Sequence, residues 1–180
     1  MGKLDPLMSS ETNEWFTPPE VLKAIAPLGP IALDPCGNPL SPVEAERRII
    51  WPEADGLKAD WHTLAVGGLV YINPPFGRRL RLWARKIQRE AAAGAEIVLL
   101  VPARVDTSWW ETLHPAAWCA WRRRIRFIRP DGRRNDPAPF PVALLYFGRR
   151  AALFAAHLRK HGRIYHCDDA PAPERQQALF

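Results

Sequence analysis

The sequence predicts an open, mostly parallel α/β sheet in a single domain. Three observations carry that prediction. Short apolar runs rich in β-branched and aromatic residues, at residues 30–37, 68–72 and 96–101, alternate with segments of helical periodicity. Those runs lack strict polar alternation, as strands covered on both faces do. Two of them reach a polar residue followed by proline, Asp34-Pro35 and Asn73-Pro74, where such a sheet would offer its carboxyl edge to a ligand.

The elements follow in order. Trp15-Phe16-Thr17-Pro18-Pro19-Glu20 is a dense helix start. Thr17 is placed to cap, Pro18 to take the first helical position and Glu20 to complete a capping box, with Phe16 and Val21 spaced as a hydrophobic staple. Residues 30–37 form a short buried strand that meets an acid and breaks into a turn. The interval from Asp34 to Asn73 leaves room for a crossover, a further strand and a short connection, and Asp55 reads as a turn former. After the strand at 68–72, a helix over 78–93 places Leu80, Trp83, Ile87 and Ala91 on one face, and Arg79, Lys86, Arg89 and Glu90 elsewhere. Trp83 is assigned to the core. Gly94 ends the helix, and residues 96–101 are the next buried strand. A short helix is expected over 108–113, with Ser108 and Glu111 at capping-box spacing. Late strands are expected at 124–128 and 142–147, a last helix at 150–161 and a last strand at 163–166. The catalytic domain is drawn over residues 11–167, with a loose tail from Asp168.

Composition narrows the class. A chain of 180 residues, 47% hydrophobic, can bury a real core and has no room for a second domain of ordinary size. It shows no bilayer-length apolar stretch, no signal-peptide layout and no repeat. Cys36, Cys119 and Cys167 are odd in number and widely spaced, which argues for the reducing cytoplasm and against a zinc cluster or disulfide framework. His157 and His161 have helical metal-pair spacing but no third ligand, so they read as a surface pair.

The most informative residues are Asn73-Pro74-Pro75-Phe76. Two successive prolines stiffen the loop and remove two backbone donors, leaving carbonyl oxygens without competing amides. Asn73, before a proline, is pushed toward extended geometry, which holds its side chain in one direction. The Asn73 side-chain oxygen and the Pro74 carbonyl then form a pair of acceptors beside the flat face of Phe76. That is a receptor for an exocyclic amino group on a planar ring. Such an amine is a poor nucleophile because its lone pair is delocalised. Accepting its N–H bonds localises the pair, and Asn73, which is no Brønsted base, contributes by alignment and electrostatics. A base in a duplex must first leave the stack, and an aromatic platform offsets part of that cost.

The ordered set of motifs resembles the phage-type DNA N-6-adenine methyltransferases, the small Dam-like family. The matching pieces are Glu14-Trp15-Phe16-Thr17-Pro18, Leu33-Asp34-Pro35-Cys36, Asp55-Gly56-Leu57 with Trp61, and the run Tyr71 to Gly77. Downstream they include Leu100 to Trp110, Arg126-Phe127 and Ala138-Pro139-Phe140-Pro141, so the likeness covers roughly residues 11–148. It implies a Rossmann-like fold and S-adenosylmethionine as methyl donor. By position it implies that Trp15, Thr17, Asp34, Pro35, Cys36 and Asn73 contact that cofactor, with the Asp34 carboxylate meeting its amino acid part. Asp60 is a further candidate for an adenosine contact, although Lys58-Ala59-Asp60-Trp61 reads equally well as a solvated loop. Asn73, Pro74, Pro75 and Phe76 are the implied catalytic loop. The glycine-rich turn usual after the first strand in methyltransferases is reduced here to Pro35-Cys36-Gly37-Asn38-Pro39.

Charge points to the partner. The net charge is +6, and 20 of the 25 basic residues are arginine, which binds phosphate bidentately and stacks on bases. Seven arginines fall between Arg122 and Arg134, just after Trp109, Trp110, Trp118 and Trp121. Arg78, Arg122, Arg123, Arg124, Arg126, Arg133 and Arg134 are therefore the candidate DNA contacts. The expected activity is methylation of adenine in phage or prophage DNA within a bacterial host. Cytosine N-4 methylation, protein glutamine methylation and non-catalytic DNA binding stay open as alternatives, as does the oligomeric state.

Overall fold

The computed structural model describes residues 15–167. Glu14 of the first motif, the start of the expected domain at 11–14 and the expected tail at 168–180 lie outside the described residues. Seven strands form one sheet: β1 (Ile31–Gly37), β2 (Ala45–Ile50), β3 (Leu69–Ile72), β4 (Glu96–Pro102), β5 (Ala117–Trp121), β6 (Val142–Phe147) and β7 (Gly162–His166), in the order β2-β1-β3-β4-β6-β5-β7. The first four are mutually parallel. β6 runs against β4 and β5, and β7 runs against β5, so β5 points the same way as β1 to β4. The parallel character expected from the sequence holds for the first half of the sheet, and the second half is antiparallel.

The helices cover both faces. On one face lie α1 (Pro19–Ile25) and α5 (Ala151–Leu158); on the other lie α2 (Trp61–Ala65) and α3 (Leu80–Ala92), with the short α4 (Ser108–Glu111) beside them. Successive residues of β3 enter opposite cores: Leu69 and Tyr71 pack on the α1 side, Val70 and Ile72 on the α3 side, and all four are buried. This double burial explains why the sequence run carries no polar alternation.

β2 supplies the further strand between Asp34 and Asn73, reached through residues 38–44 with no helix in the connection. The following loop passes directly over the end of β1. A Cβ at Gly56 would lie 1.8 Å from the Pro35 carbonyl oxygen, so only glycine lets these backbones approach. Asp55 is the turn former, its carboxylate accepting from the Leu57 amide at 3.0 Å.

Several local expectations are corrected. α1 starts at Pro19 with Pro18 as N-cap and no side-chain cap, because the Thr17 hydroxyl bonds Tyr71 instead. α4 has Thr107 rather than Ser108 at its N-cap, again without a side-chain cap. Residues 124–128 are no sheet strand; Ile128 forms isolated bridges to Phe16 and Arg134, while Ile125 and Phe127 turn into the core. The strand in that region is β5, inserted between β6 and β7. On α3, Trp83 and Ile87 are buried as expected, but so are Lys86 and Glu90. Their ion pair of 2.5 Å is satisfied further, since Glu90 accepts from the Trp61 and His62 amides at the start of α2 and Lys86 donates to the Ala59 carbonyl. A helical face that looks polar in sequence is thus a buried brace between α2 and α3.

Candidate active site

A cavity of about 290 Å³ opens at the carboxyl ends of β2, β1 and β3. The chain leaves β1 for β2 on one side, and β3 lies on the other. The cavity therefore sits where the strand order reverses, the usual ligand crevice of open α/β sheets. Trp15, Thr17, Asp34, Cys36, Trp51 and Asn73 are among its lining residues, with Pro74, Pro75 and Phe76 completing the rim.

β3 delivers Asn73 to this edge, and the segment before α1 orients it. The Asn73 Nδ2 donates to the Trp15 carbonyl at 2.6 Å and to Thr17 Oγ1 at 3.4 Å. With the nitrogen engaged twice, the amide cannot flip without losing both bonds, and Oδ1 is left as the acceptor. Thr17 is itself held at 2.8 Å from the Tyr71 hydroxyl, two residues before Asn73 on the same strand.

Asp34 is buried within β1, which runs on through Pro35 to Gly37 where the sequence suggested a turn, and it takes part in no ion pair among the described residues. Its Oδ1 accepts from the Cys36 amide at 3.0 Å. Desolvation raises its pKa to about 6, against the lowering influence of that hydrogen bond and of Arg48 on the neighbouring strand. A buried acid in this state gains from a cationic ligand. Cys36 is pushed up to about 12, mainly by burial and then by Asp34, so it is a thiol and no nucleophile.

Phe76 is not a free platform. Its ring meets Phe127 at 6.0 Å and Phe140 at 5.8 Å, both edge-on, and Trp15 contacts the same two rings at 5.2 and 6.0 Å. Four aromatic side chains from three distant segments form one cluster beside Asn73.

The remaining candidates separate. Pro35 is buried beneath the Gly56 loop and does not line the cavity. Asp60 lies away from it as well: its carboxylate caps α2 by accepting from the Thr63 amide at 2.9 Å and the Thr63 hydroxyl at 2.8 Å. These bonds hold its pKa below the usual range. Arg78, Arg122, Arg123, Arg124, Arg126, Arg133 and Arg134 are all exposed. Because β5 runs with β1 to β4, Arg122–Arg124 emerge on the same sheet edge as Asn73. Arg134 reaches Glu20 at 3.1 Å and Arg133 lies 3.8 Å from Asp131, both at exposed positions. The tryptophans before this loop are partly used in packing: Trp118 stacks on Tyr165 at 4.3 Å, and Trp121 stacks on His161 at 5.0 Å. No group of His, Cys, Asp and Glu among the described residues could hold a metal.

Sequence reasoning did not single out Trp51, 69% exposed at the cavity wall, nor the ring contacts of Phe127 and Phe140. Trp51 follows β2 directly, and a tryptophan set before a proline at the end of the Ile49-Ile50 run was the available signal.

The family model for DNA N-6-adenine-methyltransferase (Dam) matches residues 6–155. The chain belongs to the Dam family. No curated protein and no solved structure matches it. The Dam match spans every cavity residue named above and the arginine loop; among the described residues, those from 156 onward, with the end of α5 and all of β7, lie beyond it.

Proposed function

We propose that this Dam-family chain transfers a methyl group from S-adenosylmethionine to the N6 amine of adenine in DNA. The observation that carries the reading is the Asn73 amide, anchored through its nitrogen on the same cavity as the buried Asp34, which has no ion-pair partner among the described residues. The catalytic domain is taken to include the whole described span, on a Rossmann-like sheet. The parallel β2-β1-β3-β4 half with helices on both faces supports that fold.

The donor set fits S-adenosylmethionine. A cation would relieve the penalty of ionising Asp34 in a buried site, and the cofactor carries ammonium and sulfonium charge. Trp15, Thr17, Asp34, Cys36 and Trp51 are the residues that would hold it. When bound, it supplies an electrophilic methyl group. Asn73 Oδ1 and the Pro74 carbonyl accept the two N–H bonds of the target amine, turning its lone pair toward the cavity. These acceptors strengthen as the nitrogen becomes tetrahedral and acidic, so they favour the transition state over the ground state. The proton is lost late, to water. The Phe76 cluster offers an aromatic edge and face to the base once it leaves the stack.

Arg78 and the exposed arginines of the 122–134 loop are assigned to DNA phosphates, supported for Arg122–Arg124 by their place on the Asn73 edge and for the others by their exposure. A bacterial cytoplasm, with phage or prophage DNA as substrate, is the setting we infer. Three widely spaced cysteines and the lack, among the described residues, of any helix long and apolar enough to cross a membrane are in keeping with it.

The test is digestion of DNA from expressing cells to nucleosides, followed by mass measurement. N6-methyl-2′-deoxyadenosine above the level in control cells is expected. Its absence with folded protein present overturns the assignment, and N4-methyl-2′-deoxycytidine would transfer it to the other amine.

A further inference from the structure

The Tyr71 side chain is wholly buried, and among the described residues its hydroxyl has one hydrogen-bond partner, Thr17 Oγ1 at 2.8 Å. Two arrangements of that bond are possible in principle. If Thr17 donated, the phenolic proton of Tyr71 would be left buried without an acceptor, which is costly. If Tyr71 donates, its buried hydroxyl proton has an acceptor. Desolvation holds the phenol well above its ordinary range, so the proton to be donated is always present. Tyr71 is therefore the donor.

Asn73 Nδ2 is a second donor onto the same oxygen, at 3.4 Å. A hydroxyl oxygen has two acceptor positions and one proton. Both acceptor positions of Thr17 are taken from within the protein, and its own proton is what remains. Thr17 is 1% exposed yet lines the cavity, so that proton has the cavity as its outlet.

We propose that Thr17 is a ligand-binding donor and that Tyr71 is the positioning residue that sets its polarity. The Thr17 proton serves a hydrogen-bond acceptor of the bound molecule, while Tyr71 occupies the direction in which Thr17 could otherwise donate inward. This rests on reading the cavity as the methyl-donor and base site. Two acceptors share the required chemistry: a carboxylate oxygen of the methyl donor, and a ring nitrogen beside the target amine.

Thr17→Val, Tyr71→Phe and the double variant, in the full chain, separate this from a purely structural bond. Three quantities are measured: the melting temperature, the calorimetric affinity for S-adenosylhomocysteine, and the single-turnover transfer rate to duplex DNA at saturating cofactor. Thr17→Val removes the acceptor of a buried phenol and should lower the melting temperature. Adding Tyr71→Phe removes the orphaned donor and should return the melting temperature toward wild type. The ligand step should nevertheless stay impaired by about tenfold in the double variant. Loss of affinity for S-adenosylhomocysteine assigns the acceptor to the methyl donor. Loss confined to the transfer rate assigns it to the base if DNA whose target adenine has that ring nitrogen replaced by carbon shows no further loss. A loss that persists on such DNA reflects the released Asn73 amide and ends the proposal. Recovery of melting temperature, affinity and rate together would make Thr17 a structural anchor and end the proposal. A wild-type chain that neither binds S-adenosylhomocysteine nor transfers a methyl group would instead remove the cavity reading, and this proposal with it.

Discussion

The side-chain amide of Asn73 donates to the backbone carbonyl of Trp15 at 2.6 Å, across 58 positions of the chain. The bond makes the direction of the proposed catalytic acceptor depend on how the segment before α1 docks against the end of β3. It also separates the two halves of one amide: the nitrogen anchors, and the oxygen is available to a substrate.

Asn73→Ala should leave folding and cofactor affinity near normal while the methyl-transfer rate falls by about two to three orders of magnitude, the scale of one preorganised transition-state hydrogen bond. Single-turnover rates at saturating cofactor and DNA measure it. Asn73→Asp is a different lesion, since it sets a carboxylate oxygen against the Trp15 carbonyl. That variant should lose about 1–3 kcal/mol of stability at neutral pH by chemical denaturation. Transfer at the wild-type rate by the alanine variant would sink the amine-receptor reading.

If Asp34 meets the methyl donor as proposed, it should link binding to pH. Its carboxyl in the folded protein titrates at about 6, above the ordinary 3.8. The folded state therefore holds the proton more tightly than the unfolded chain. Its stabilising contribution is complete below the unfolded value and is lost as pH rises through about 6. Asp34→Asn should raise the stability of the ligand-free protein above that pH by on the order of 2–3 kcal/mol. A cationic ligand needs the carboxylate, so affinity for S-adenosylmethionine should rise with pH through the same window. Asp34→Ala should weaken binding by about tenfold or more in calorimetry and flatten the pH dependence. An unchanged dissociation constant in a folded variant would remove Asp34 from the site.

The arginine loop is tested by salt. DNA binding should weaken steeply as salt rises, and replacing Arg122, Arg123 and Arg124 with glutamine should flatten the slope of log K against log salt by up to about three phosphate contacts. Cofactor affinity should not move. A slope equal to wild type would leave these three residues as a solvated surface.

Phe76 and Trp51 should fail in different ways. Phe76→Ala should weaken DNA binding by roughly 1–3 kcal/mol through lost stacking. It should also lower the melting temperature, because the ring packs edge-on against Phe127 and Phe140. Trp51 is 69% exposed on the cavity wall, so Trp51→Ala should spare stability and weaken binding of the methyl donor. Calorimetry with S-adenosylhomocysteine and thermal melts of both variants would tell them apart; equal affinity in the Trp51 variant would exclude a contact there.

Much of the fold was legible because it rests on local properties. The apolar runs at β3, β4 and β6 are buried on both faces, so their strand character is written in composition alone. Gly94 marks the end of α3 because its φ of 101° suits glycine and few other residues. Other features had no local signature. Thr17 has the chemistry of a cap, and only the arrival of Tyr71 and Asn73 from another strand draws its hydroxyl away. Lys86 and Glu90 look solvated on a helical wheel, but the start of α2 needs an acceptor for its free amides, and Glu90 meets that need. Residues 124–128 have the alternation of a strand, yet Ile128 pairs with Phe16 outside the sheet, and β5 takes the ladder position beside β6.

By itself the sequence determined which chemical groups the proposed site contains. A proline-stiffened Asn-Pro-Pro-Phe loop and an acid in an apolar strand are properties of a few adjacent residues, and they persist wherever the fold places them. Only the tertiary structure decided which atom of the Asn73 amide is anchored and which aromatic rings surround Phe76. It also placed the Arg122–Arg124 turn on the same edge as Asn73. Those outcomes depend on strand direction and on hydrogen bonds between segments more than fifty residues apart, such as Asn73 with Trp15. No local pattern encodes them, because the partner that sets each geometry arrives only when the sheet is assembled.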